Sequence, residues 1–136
     1  KAILSGGVKA GEHPKAPGMK YRHYAPSAPL TVYTGNEDKV QKEILSFAKR
    51  GDKKYGFFVS RETADKLPEG LPFFVWGNRE NKESFAHNLF SGLLYFNKHP
   101  VDQIIGEGTD TKGLGLAIMN RLTKASGYHI VVEKKD

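Results

Sequence analysis

The sequence contains no cysteine, which excludes disulfide staples, thiolate metal sites and cysteine nucleophiles. It has no apolar stretch near the roughly 20 residues a membrane-spanning helix needs, and its N-terminus lacks the apolar run of a signal peptide. A soluble chain with cytoplasmic localisation and no membrane partner is therefore expected. Histidine is scattered: His13, His23, His87, His99 and His129 show no pair at helical or hairpin ligand spacing, so no metal site is expected. What remains is 136 residues with 38% hydrophobic content, enough for one ordinary core.

The net charge of +6 is unevenly placed. Lys1, Lys9, Lys15, Lys20 and Arg22 face Glu12 alone in residues 1–26, five cations against one anion, which leaves +2 for residues 27–136. A nearly balanced remainder argues against a broad phosphate-binding face, while the N-terminal arm stays a candidate for meeting an anion. The arm also holds Pro14, Pro17, Pro26 and Pro29, four of the seven prolines, and shows neither helical nor strand periodicity. Proline fixes its own φ and pushes its predecessor toward extended geometry, so residues 1–29 read as an extended linker with little conformational freedom to lose on docking.

From Leu30 onward, short β-rich runs alternate with helical spacing, the pattern of parallel strands joined by crossover helices. Strands are expected at Leu30 to Thr34, Lys54 to Val59, Pro72 to Val75, Val101 to Ile105 and His129 to Val132. Asn36 is placed to cap a helix with Val40, Ile44, Phe47 and Ala48 on one face, ended by Gly51, and Ser60 caps a short helix through Lys66. Lys82 to Phe96 forms the longest helix, with Phe85, Leu89 and Leu93 inward and Ala86, Phe90 and Phe96 beside them. The last helix runs to Ala125 with Leu114, Ile118 and Leu122 inward, and Glu133 to Asp136 reads as a solvated tail. The fold class is α/β: a Rossmann-like three-layer α/β/α domain over residues 30–136 with a mainly parallel sheet, preceded by the extended linker.

Two segments carry chemistry. Pro17-Gly18-Met19-Lys20-Tyr21-Arg22-His23-Tyr24-Ala25-Pro26 packs two cations, a histidine and two tyrosines into an irregular run. Arginine offers forked donors to phosphate or carboxylate, and tyrosine can stack on a base or donate through its hydroxyl, so the parts suit a nucleotide clamp. A linker pinned to its own domain by its tyrosines, or a single-strand RNA contact, are the alternatives; the basic field is short and stops at Pro26. The second segment is the glycine-rich turn Gly106 to Gly115 between a strand and a helix, where backbone amides can cradle a small anion. Its glycines Gly106, Gly108, Gly113 and Gly115 match neither Rossmann nor P-loop spacing, and Glu107 and Asp110 would repel phosphate. The alternative is a tight connection in which Gly115 lets the last helix approach the sheet. Asp102, Glu107 and Asp110 read as solvated carboxylates, and Trp76 as a partly buried anchor after the third strand.

The string Pro17 to Pro26 resembles the interdomain linker of two-domain L-threonylcarbamoyladenylate synthases. Gly113-Leu114-Gly115-Leu116-Ala117-Ile118-Met119-Asn120-Arg121-Leu122 resembles the last helix of that family's accessory domain, and Gly77-Asn78-Arg79 and Asn88-Leu89-Phe90 fit its middle segment. The resemblance implies that residues 1–29 comprise the end of a catalytic domain, around Ala2 to Val8, followed by the linker. It also implies that the chain is a fragment which is not an enzyme on its own. The partner would be the N-terminal catalytic domain of the same protein, which makes threonylcarbamoyl-adenylate from ATP, L-threonine and bicarbonate for transfer-RNA modification. Lys20, Tyr21, Arg22, His23 and Tyr24 would lie over that domain's cleft as a lid. No cofactor is expected in this chain; ATP with Mg belongs to the full-length enzyme. Direct tRNA binding is not expected.

Overall fold

The computed structural model describes residues 26–134. Five strands, β1 (Leu30–Gly35), β2 (Tyr55–Ser60), β3 (Phe73–Gly77), β4 (Gln103–Glu107) and β5 (Ile130–Glu133), alternate with four helices, α1 (Glu37–Ala48), α2 (Arg61–Ala64), α3 (Lys82–Lys98) and α4 (Leu114–Ala125). The sheet order is β3-β2-β4-β1-β5, and all four pairings are parallel. The expected mainly parallel sheet is thus wholly parallel among the described residues.

Alternation along the strands divides the core into two layers. Leu30, Val32, Phe58, Trp76 and Ile104 face α3 and α4, packing with Phe85, Leu89, Leu93, Phe96, Ile118, Met119 and Leu122. Tyr33, Tyr55, Phe57, Val59 and Ile105 face α1, with Val40, Ile44 and Phe47, and Ala64 of α2. Every residue of β2 is buried, as a central strand covered on both sides requires. The chain winds outward through β2 and β3 with α1 and α2 on one face. It then returns through β4 and β5 with α3 and α4 on the other.

Local chemistry sets the helix starts. The Asn36 side chain accepts from the Lys39 amide at 3.0 Å, and Ser60 Oγ accepts from the Thr63 amide at 3.2 Å, so both expected caps act as such. The arm's last residues are already fastened to the domain: Ala28 is buried, the Ser27 amide donates to Asn97 Oδ1 at 2.9 Å, and the Ile104 amide donates to the Pro29 carbonyl at 2.8 Å.

Several sequence-based expectations are corrected. Leu114 is exposed and Met119 takes its inward place, because α4 begins at Leu114 and its buried stripe is Ile118, Met119, Leu122 and Ala125. Ala86 and Phe90 lie on the outer face of α3; the inner face is completed by Gly92, where a Cβ would strike the Phe58 ring. Trp76 lies inside β3 and is 1% exposed, stacked on Phe85 with centroids 3.7 Å apart and planes 5° from parallel. Glu133 is a strand residue paired with Gly35.

Candidate functional site at the carboxyl ends of the strands

In wound α/β sheets the crevice beyond the carboxyl ends of the strands, where winding reverses, is where ligands bind. Here that crevice is a cleft of about 170 Å³. Thr34 and Gly35 from the end of β1, Glu37 and Val40 from α1, Trp76 from β3, Arg79 and Lys82 from the entry to α3, and Glu107 to Asp110 from the end of β4 form its walls.

The wall is built on a buried ion pair. Glu107, 3% exposed, receives Arg79 Nε on Oε2 at 3.0 Å and both the Ser60 amide and Ser60 Oγ on Oε1, at 2.9 and 2.8 Å. A carboxylate this deep requires such a complete set of donors. The expectation of a solvated Glu107 is therefore wrong; its partners lie on β2 and on the β3–α3 connection, remote in sequence. Arg79 is fixed elsewhere as well: Nη2 donates to Thr63 Oγ1 at 3.2 Å and its amide to the Glu62 carboxylate at 3.0 Å. Trp76 Nε1 donates to the Glu107 carbonyl at 3.0 Å, tying β3 to the end of β4. The third guanidinium nitrogen, Nη1, stands 3.7 Å from Glu37 Oε1, beyond hydrogen-bond distance.

At the opposite lip Lys82 Nζ pairs with Asp110 Oδ1, which also receives the Lys112 amide at 3.0 Å. The Lys82 hydrogen bond, and next the Lys112 amide, hold the Asp110 carboxyl below the usual aspartate range. Thr34 Oγ1 donates to the Thr109 carbonyl at 2.8 Å, so the turn after β4 is pinned to β1. Asp102 is exposed, yet its Oδ2 accepts the Lys54 amide at 2.8 Å, at the other end of the sheet.

The glycines of the expected turn separate. Gly106 is within β4, Gly108 lines the cleft, Gly113 caps α4 and Gly115 lies in that helix's first turn. A Cβ on Gly115 would overlap the Asp110 carbonyl, so this glycine admits the turn against the helix; the expected approach of helix to sheet is corrected. Lys20, Tyr21, Arg22, His23 and Tyr24 lie outside the described residues. Sequence reading missed Arg79 and Lys82 as cleft residues. The only signal was Gly77-Asn78-Arg79, a turn delivering a cation after an apolar strand.

The family described as "Threonylcarbamoyl-AMP synthase, C-terminal domain" matches residues 1–127. The chain belongs to that family. Threonylcarbamoyl-AMP synthase of Pyrococcus abyssi is 45% identical over 127 residues, which is 90% of this chain and 35% of that protein. The crystal structure of P. abyssi Sua5 complexed with L-threonine superposes with a TM-score of 0.70 at 40% identity, covering 81% of this chain and 31% of that one. The C-terminal Sua5 domain from Pyrococcus horikoshii gives a TM-score of 0.59 at 37% identity, covering 80% of this chain and all of that one (100%). The chain spans about a third of the length of the curated synthases it matches.

Proposed function

We propose that this domain anchors a lid for a threonylcarbamoyl-AMP synthase whose N-terminal catalytic domain makes the adenylate from ATP, L-threonine and bicarbonate for transfer-RNA modification. The domain itself is non-catalytic. In this reading Lys20, Tyr21, Arg22, His23 and Tyr24 close over the nucleotide end of the catalytic cleft and exclude water from it.

The observation that carries this reading is the fastening of the arm's end. Ser27, Ala28 and Pro29 are held by Asn97, the core and β4 respectively, and the family match runs unbroken from residue 1 through the arm into the domain. An arm whose last residues are tied down immediately before β1 starts from a fixed point, as a lid hinged on this domain requires. Among the described residues no group of three or more His, Cys, Asp or Glu could hold a metal ion. The described residues include no helix long and apolar enough to cross a membrane.

Arg22→Ala in the full-length enzyme tests the lid. Loss of one charge-assisted contact to the nucleotide should lower kcat/KM for adenylate formation by about tenfold or more. The thermal unfolding of the isolated domain should not change. Unaltered kinetics would remove the lid from the mechanism.

A further inference from the structure

We propose that the cleft between Glu37, Arg79 and Lys82 binds a small zwitterion of the α-amino-acid class, independently of the arm and of the catalytic domain. Its volume of about 170 Å³ falls below the roughly 300 Å³ at which pockets for drug-sized ligands begin. A free amino acid is of the right order for it.

Charge selects the class. Glu107 is matched by Arg79 and Asp110 by Lys82. That leaves Glu37, whose side chain is 68% exposed and lies 3.7 Å from Arg79 Nη1. Among the residues that line the cleft, three carboxylates face two cations, which disfavours a phosphate or a bare carboxylate anion. The surplus acid asks for an ammonium group, and Nη1 asks for an acceptor.

A zwitterion satisfies both at once. Its carboxylate would accept from Arg79 Nη1, and its ammonium would donate to Glu37. One contact too long to be a hydrogen bond would then be replaced by two charge-assisted ones. The guanidinium is already oriented, because Nε is held by Glu107 and Nη2 by Thr63, so little side-chain freedom is lost on binding. Val40, 3% exposed on the same wall, offers an apolar spot to a short side chain.

The test is an NMR titration of this chain with L-alanine and L-threonine, each to about 10 mM, a range that detects dissociation constants in the millimolar region. Acetate, ethylammonium and inorganic phosphate serve as controls. Saturable shifts are expected at Gly35, Glu37, Arg79 Nε, Lys82 and Gly108 with either amino acid, and none with the three controls. Glu37→Gln, at an exposed position where folding is not at risk, should weaken the amino acid about tenfold by turning an ion pair into a neutral contact. No saturable shift with either amino acid, equal binding by Glu37→Gln, or tighter binding of phosphate than of the amino acids would each overturn the proposal. None of these outcomes bears on the lid.

Discussion

Removing the Arg79 side chain should expose how much of the domain's stability rests on the buried pair at the strand ends. In Arg79→Ala, Glu107 keeps its two contacts from Ser60 but loses the one cation that touches it among the described residues. Breaking a fully buried pair by deleting one partner costs about 3–5 kcal/mol. Arg79 is 19% exposed, so water can reach the vacated position and the cost falls at or just below the bottom of that range, about 2–3 kcal/mol. With a urea m-value of about 1–3 kcal/mol/M for a domain of this size, the unfolding midpoint should fall by roughly 1–3 M. Glu107→Gln retains an acceptor for Ser60 and removes the charge, so the double variant Arg79→Ala/Glu107→Gln should be more stable than Arg79→Ala alone. The cycle should give a coupling of about 1–3 kcal/mol. A loss below about 1 kcal/mol in Arg79→Ala, or strict additivity in the cycle, would show that the pair behaves as a solvated one and refute the reasoning.

Two further perturbations test other features. Gly115→Ala sets a helix-propensity gain of about 1 kcal/mol against a Cβ driven into the Asp110 backbone carbonyl; backbone cannot step aside, so a net loss of about 1–2 kcal/mol in chemical denaturation is expected. The Tyr33 hydroxyl is held above the usual tyrosine range, first by burial and then by Glu43. The unfolded chain therefore ionises first, and stability should fall as pH rises past about 10; Tyr33→Phe should show a shallower alkaline decline in melting temperature.

Much of the fold was legible because its determinants are local. Asn36 and Ser60 each precede a helical apolar pattern, and a capping side chain needs only the amide three residues on. Phe57 and Phe58 read as strand and proved to face opposite layers, as a period of two demands. The failures share a cause. Glu107 was read as solvated, and its partners Arg79 and Ser60 stand 28 and 47 residues away, so no window of sequence contains the group that neutralises it. Leu114 and Phe90 are apolar at helical spacing yet exposed. Periodicity shows that a stripe exists, but where the helix begins and what crosses it decide which flanking residues it includes.

The sheet also fixes how the two proposed roles relate in space. All strands run the same way, so the fastening of Ser27 to Pro29 before β1 and the cleft after it lie at opposite ends of the sheet. A six-residue strand rises about 3.3 Å per residue, which separates them by roughly 20 Å. The lid's anchor and the cleft therefore share no side chain. Three elements reach both: β1 starts just after Pro29 and ends in the cleft at Thr34 and Gly35, β4 holds Pro29 through the Ile104 amide and ends in the cleft at Glu107, and α3 places Lys82 at the cleft with its first residue and holds Ser27 through Asn97 in its last turn. Over 17 residues that helix is about 25 Å long and packed along its length by Phe85, Leu89, Leu93 and Phe96. A ligand that shifts Lys82 could move the arm's tether only by moving this helix against a close-packed core, which resists small displacements. Occupation of the cleft and closure of the arm are thus separable by default, and coupling between them would have to be carried by α3, β1 or β4 moving as a body.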